Sequence, residues 1–228
     1  MRRFALSLVF SLAGFAAEAA TSRGDFRAGY DAMMRQEYDK AIALFTSAIE
    51  RGDLSRPNQA LAFHYRGAEY LKKNQLAEAI RDLDNALRID PKLATAYNDR
   101  AIAYRRQGQY GRAIDDYGQA IRLRPDWHDW YLNRGMALTY LGRNDEAIAD
   151  FTKAIYYSPK LVTAFLARAD VHLSRGDNAN AAADYRRALA ADRNLLTNYP
   201  SVAGKLACEI ASNNDPTLNC TQRVASVT

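Results

Sequence analysis

A period of 34 residues constrains this chain more than any other feature in it. Pro91, Pro125 and Pro159 are 34 apart, and so are Arg66, Arg100, Arg134 and Arg168. Asp82, Asp116, Asp150 and Asp184 keep the same step, as do Ala79, Ala113, Ala147 and Ala181, and Ala86, Ala120, Ala154 and Ala188. Columns held in register mean a repeat architecture, in which one unit cannot bury its own apolar stripe and neighbours must stack on it. Composition agrees. With 48% hydrophobic and 25% charged residues in 228, the chain has enough apolar material for a core, and two cysteines exclude a disulfide-dense scaffold.

Small and apolar residues also fall at fixed places in the period. The second repeat (about 60–93) carries Phe63, Gly67, Tyr70, Ala79, Leu83, Ala86 and Pro91, and the third (94–127) Tyr97, Ala101, Tyr104, Ala113, Tyr117, Ala120 and Pro125. The fourth (128–161) has Tyr131, Gly135, Leu138, Ala147, Phe151, Ala154 and Pro159. The fifth (162–195) has Phe165, Ala169, His172, Ala181, Tyr185 and Ala188, with Arg193 in place of proline. The first (22–55) is degenerate: Gly29, Ala41, Phe45 and Ala48 fit, Asp25 stands where an aromatic belongs, and Arg56 to Gln59 separate it from the second. This pattern resembles the tetratricopeptide repeat (TPR) family. The resemblance implies an all-α fold, a TPR solenoid of about five helix-turn-helix repeats stacked into a superhelix over residues 20–195, with a C-terminal capping segment.

Each repeat is then expected to run helix A, a short turn and helix B. Gly or Ala at position 8 of helix A should face Ala at position 20 of helix B, where a large side chain would overpack at a cost of about 1–3 kcal/mol. Proline at position 32 cannot continue helix B and biases its predecessor away from helix. Arg at position 7 and Asp at position 23 flank the A–B contact and are expected to pair within each repeat. The alternative is a row of arginines turned toward an anionic ligand.

The two ends depart from the period. Met1-Arg2-Arg3, the uncharged run Phe4 to Ala17 and the small-x-small triplet Ala17-Glu18-Ala19 read as a secretory signal peptide over residues 1–19. Fourteen helical residues would span about 21 Å, short of the ~30 Å hydrocarbon core, so cleavage near Ala19 is expected rather than a retained anchor. The protein is thus expected to be periplasmic or secreted, with no transmembrane segment in the mature chain. Its formal charge of +5 falls to +4 on cleavage, with Arg2, Arg3 and Glu18 removed. Residues 196–228 hold both cysteines, Cys208 and Cys220, which in an exported chain are candidates for a disulfide. Val202, Leu206 and Ile210 are four apart and suggest a helix able to cap the fifth repeat.

No motif for catalysis stands out. There is no G-x-S-x-G, no phosphate-binding loop and no H-E-x-x-H, and His64, His128 and His172 share neither a face nor a metal-ligand spacing. The expectation is a protein that is not an enzyme, with no metal, no cofactor and no small-molecule substrate; His172 is expected in the core.

In the TPR family, positions 2, 5, 9, 12 and 13 of helix A line a concave surface that holds extended peptides. By that resemblance the groove would include Tyr30 and Met33 from the first repeat, Lys72 from the second, Asn98, Arg105 and Arg106 from the third, and Met136 and Tyr140 from the fourth. A basic middle flanked by Met-rich walls suits adaptable binding of a protein or peptide. Lys72 and Asn98 are too few to make a carboxylate clamp. Trp127 and Trp130, beside Pro125, are candidate anchors for a partner, the alternative being packing across the repeat junction. Two functions follow: an exported scaffold holding an extended segment, or a binder of an anionic cell-envelope polymer. Export disfavours nucleic acid.

Overall fold

Helices joined by tight turns account for almost all of residues 21–192, the part of the chain that the computed structural model describes. The expected signal peptide, and the tail with Cys208, Cys220 and its capping helix, lie outside the described residues. The helices fall into two units, divided between Leu123 and Arg124. In the first unit α1 (Ser22–Met34) pairs with α2 (Tyr38–Arg51), α3 (Arg56–Lys72) with α4 (Leu76–Ile89), and α5 (Ala94–Arg106) with α6 (Tyr110–Leu123). In the second, α7 (His128–Tyr140) pairs with α8 (Asn144–Tyr157), and α9 (Val162–Ser174) with α10 (Asn178–Ala191). Within each unit successive hairpins stack through helix B of one and helix A of the next. The fold is all-α, as the repeat pattern implied. The residues Arg56 to Gln59, which the sequence sets between repeats, are helical and lengthen α3 at its N-terminus.

Every A–B turn is built alike. Position 15 of each repeat lies in the left-handed region: Gln36 and Asn74 at φ 59°, then Gly108 at 74°, Gly142 at 70° and Gly176 at 76°. The backbone N–H one residue later reaches back five residues, as in Glu37 to the Ala32 carbonyl at 3.0 Å and Gln109 to the Tyr104 carbonyl at 2.9 Å. These are Schellman turns, which need a left-handed residue at the stop and thereby satisfy carbonyls that the helix end leaves open. Glycine takes that conformation freely and asparagine tolerably; glutamine does so against its side chain. At the other end helix B stops before proline, with Asp90 and Ser158 extended (φ −128° and −136°). Asp192 is extended too (φ −132°), although Arg193 follows it, so the stop does not depend on proline alone.

The small residue at position 8 makes room first for a larger neighbour than the alanine expected there. A Cβ on Gly135 would lie 2.6 Å from the Phe151 ring, and one on Gly29 would lie 2.9 Å from the Phe45 ring. The nearest neighbour is therefore the large side chain at position 24. At Gly67 the expected approach to position 20 is seen as well, with the Ala79 carbonyl 3.3 Å from the added Cβ. Phe45, Leu83, Tyr117, Phe151 and Tyr185 at position 24 are all buried, with the alanines of positions 20 and 27 packed around them.

The Arg and Asp columns pair as expected. Arg66–Asp82, Arg100–Asp116, Arg134–Asp150 and Arg168–Asp184 each form a two-pronged ion pair, Nε to Oδ2 at 2.6–2.7 Å and Nη2 to Oδ1 at 2.7–2.9 Å. The aspartates are buried. Three of these arginines spend Nη1 on helix B of the preceding repeat, at Thr46 (2.9 Å), Asp84 (2.6 Å) and Thr152 (2.7 Å). Burial alone would lower the Arg100 pKa, but its bonds and charge contacts with Asp116 and Asp84 outweigh that and raise it. The first repeat inverts the device. Asp25, the residue that breaks the aromatic pattern, is buried in α1 and accepts from Ser47 (2.6 Å) and Arg51 (2.8 Å) of α2.

Two outcomes follow for stability. Asp116→Ala strips Arg100 of its buried partner and should destabilise by about 3 kcal/mol, read as a lower urea midpoint; equal midpoints would contradict the pairing. Gln36→Gly relieves the left-handed glutamine and should stabilise by about 1 kcal/mol in the same measurement.

Candidate functional site

The residues expected to line a groove fall into two sets, one in each unit. In the first unit the A helices carry an aromatic patch that leads into a polar seam. Tyr30 of α1 lies 5.6 Å from Tyr65 of α3, ring centre to ring centre, and Phe26 lies 6.1 Å from it. Tyr30 and Met34 are exposed, and Met33, half-buried, packs with Phe26 and Tyr65 on the buried cluster around Phe45. Burial pushes the Tyr65 phenol pKa up, with Tyr30 adding to the shift. Tyr65 stands at position 6, outside the expected groove set, and no signature marks it.

From Tyr65 the contacts pass to buried His64, 5.3 Å away, and on to α5. His64 Nε2 lies 2.9 Å from Asp99 Oδ2, and Asn98 Nδ2 donates to Asp99 Oδ1 at 3.0 Å. His64 and Asp99 thus bridge the A helices of the second and third repeats, and Asn98 is turned sideways by the bridge. Arg106 donates to the Leu71 carbonyl at 2.7 Å, which fixes its direction but leaves its charge uncompensated by that contact. Arg105 lies beside Tyr117 of α6, whose phenol pKa burial raises while Arg105 draws it down.

Lys72 differs from the other two cations. Its ammonium is 2.6 Å from Glu69 Oε1 and 5.5 Å from the centre of the Tyr38 ring. Glu69 is wholly buried, at position 10, where the later repeats have Ala103, Ala137 and Val171. The expected basic trio is therefore a pair, Arg105 and Arg106, beside a lysine already neutralised. A buried carboxylate in an alanine column is a visible signal, but it points to a lysine only once the helix places position 13 over position 10. Three buried polar atoms in this stretch have no hydrogen-bond partner among the described residues: Glu69 Oε2, His64 Nδ1 and Asn98 Oδ1. Such groups are costly and uncommon, and their gathering in two repeats marks the seam.

In the second unit Met136 is half-buried on α7 and Tyr140 is exposed near its end. Tyr185 donates a short hydrogen bond to Asp170; burial first, and then that carboxylate, raise the Tyr185 pKa. His172 is not a simple core residue: it is half-buried, with Nδ1 3.1 Å from Asp177 Oδ2 at the A–B turn. Of the two candidate anchors, Trp130 is buried and stacked 5.7 Å from Trp127, and only Trp127 is exposed. Among the described residues no three His, Cys, Asp or Glu side chains converge as a metal site.

The chain matches the TPR repeat over residues 67–108 and the tetratricopeptide repeat over 98–160 and 132–195. No curated protein matches it. Among solved structures it is similar to the MamA protein, with TM-score 0.69 and 21% identity over 79% of this chain and 96% of the other. It is also similar to YrrB, described as a TPR protein with an unusual peptide-binding site (TM-score 0.68, 17% identity, 80% and 92% covered). A thermophilic TPR protein of Thermus thermophilus aligns at TM-score 0.59 and 23% identity, over 82% of this chain and 100% of that one. At these identities the likeness concerns the fold. The repeat matches together run from 67 to 195, and with them the chain belongs to the tetratricopeptide repeat family.

Proposed function

We propose that the A helices of the first unit hold an extended peptide or partner segment, with apolar side chains against Tyr30, Met33 and Met34 and an acidic group at Arg105 and Arg106. As a TPR protein the chain is a non-catalytic scaffold for protein interactions. The observation that carries the finer reading is the unbroken series of contacts from Tyr30 through Tyr65 and His64 to Asp99 and Asn98, which joins an apolar patch to the polar side chains of α5, the helix that also carries Arg105 and Arg106. Exposed aromatics and methionines adapt to varied side chains, and arginine forks suit carboxylates. A peptide-binding site in the structurally similar YrrB accords with this use of the fold. Met136 and Tyr140 would serve a second contact set. With the leader lost near Ala19, the scaffold would work outside the cytoplasm.

The alternative ligand, an anionic envelope polymer, needs a run of unpaired cations. Four arginines are paired within their repeats and Lys72 is held by Glu69, so the reading with one or two acidic groups fits better.

Peptides selected from a random display library against the mature protein should be apolar with an acidic residue. The double variant Arg105→Glu, Arg106→Glu should weaken them by about tenfold or more with the melting temperature retained. Unchanged affinity would remove these arginines from the site. An affinity that collapses steeply with added salt would favour the polymer.

A further inference from the structure

A second surface, away from every expected groove position, gathers aromatic rings and cations at the start of α7 and the end of α8. Trp127 is 40% exposed, Tyr157 37% and Tyr156 74%. The Arg124 guanidinium lies 4.6 Å from the centre of the Trp127 ring, and Trp130 stacks beneath it. Lys153 Nζ lies 5.9 Å from the centre of the Tyr156 ring, which meets Tyr157 edge-on at 5.1 Å. Tyr131 ties the two halves together: its ring stacks on Tyr157 at 5.7 Å and its hydroxyl donates to the Pro125 carbonyl at 2.9 Å. Lys160 is exposed in the turn that follows α8.

We propose that this ridge docks the protein on an anionic lipid surface. Tyrosine and tryptophan combine an apolar ring with a polar tip and settle at the depth of lipid headgroups. Here three such rings stand partly or largely exposed, braced from behind by Trp130 and Tyr131, so they protrude as a ridge and do not enclose a partner's side chain. The cations are already in place. Among the described residues Arg124, Lys153 and Lys160 make no ion pair, and each can attract acidic headgroups with its stem lying along the rings. Asp126 and Asp129 oppose this at the Trp127 end, where His128 lies 3.5 Å from Asp129, so the attraction is centred on Tyr156, Lys153 and Lys160. Attachment would be peripheral, because no helix among the described residues is long and apolar enough to cross a membrane.

The chain has two tryptophans, both on this ridge, so tryptophan emission, excited at a wavelength where tyrosine does not absorb, reports on it alone. The full chain is titrated with vesicles of three parts phosphatidylcholine to one part phosphatidylglycerol, and with phosphatidylcholine alone. Emission should shift to the blue, and brominated lipid should quench it, only with the anionic vesicles. Arg124→Gln with Lys153→Gln should weaken partitioning about fivefold for each charge removed. Tyr156→Ala should weaken it too, each variant keeping its helical circular dichroism. The uncharged run 4–17 is common to every variant, so its own affinity for lipid cancels. Arg105→Glu with Arg106→Glu should leave the shift intact, which separates this surface from the peptide site. Three results would overturn the proposal: no shift with anionic vesicles, co-sedimentation with unshifted emission, or a shift that ignores the Arg124 and Lys153 changes. A shift produced by envelope proteins but not by vesicles would assign the ridge to a protein partner instead.

Discussion

The two-pronged arginine–aspartate pair, repeated at the same place in four hairpins, is the interaction around which the rest of the structure is arranged. It joins position 7 of helix A to position 23 of helix B, next to the point where the large side chain of position 24 presses on the small residue of position 8. A buried carboxylate is tolerable only with its partner, and a fork of two hydrogen bonds fixes angle as well as distance. The pair therefore specifies how the two helices meet while apolar packing supplies most of the attraction. The first repeat keeps the principle with other residues, its Asp25 held by Ser47 and Arg51.

Much of this is legible in the sequence because a repeat reports each constraint several times. Helix order, the Arg and Asp partners and the end of helix B follow from columns in register. What escapes is what the columns do not carry. Position 15 holds Gln36 and Asn74 before it becomes glycine, so the common left-handed turn is hidden by its first two occupants. Spacing places the position-8 glycine against helix B but does not tell which side chain there comes nearest; at Gly135 it is the Phe151 ring. Asp25 reads as decay of the pattern and is instead a substitute ion pair.

The candidate site is legible in its location and less so in its charge. Positions on helix A name Lys72, Asn98, Arg105 and Arg106 as one polar group, yet sequence position does not reveal that Glu69 sits beneath Lys72 or that Asp99 turns Asn98 aside. The aromatic half is under-read because Tyr65 falls just outside the groove positions and links Tyr30 to His64. Tyr156 and Tyr157, at positions with no signature, give no sign of joining Trp127; the ridge exists only because antiparallel helices bring the end of α8 beside the start of α7.

The third nitrogen of the arginine fork gives the stack a direction in time. Arg66, Arg100 and Arg168 each reach back to a residue already earlier in the chain, Thr46, Asp84 and Thr152, while the fork itself closes within one hairpin. A polypeptide made or translocated from its N-terminus thus completes this polar lattice hairpin by hairpin, and none of those guanidiniums waits for a partner beyond its own hairpin. Shortening the protein from its C-terminus by one hairpin would accordingly leave every earlier arginine lattice whole, whereas removing a hairpin from the front would strand the next arginine with one donor idle.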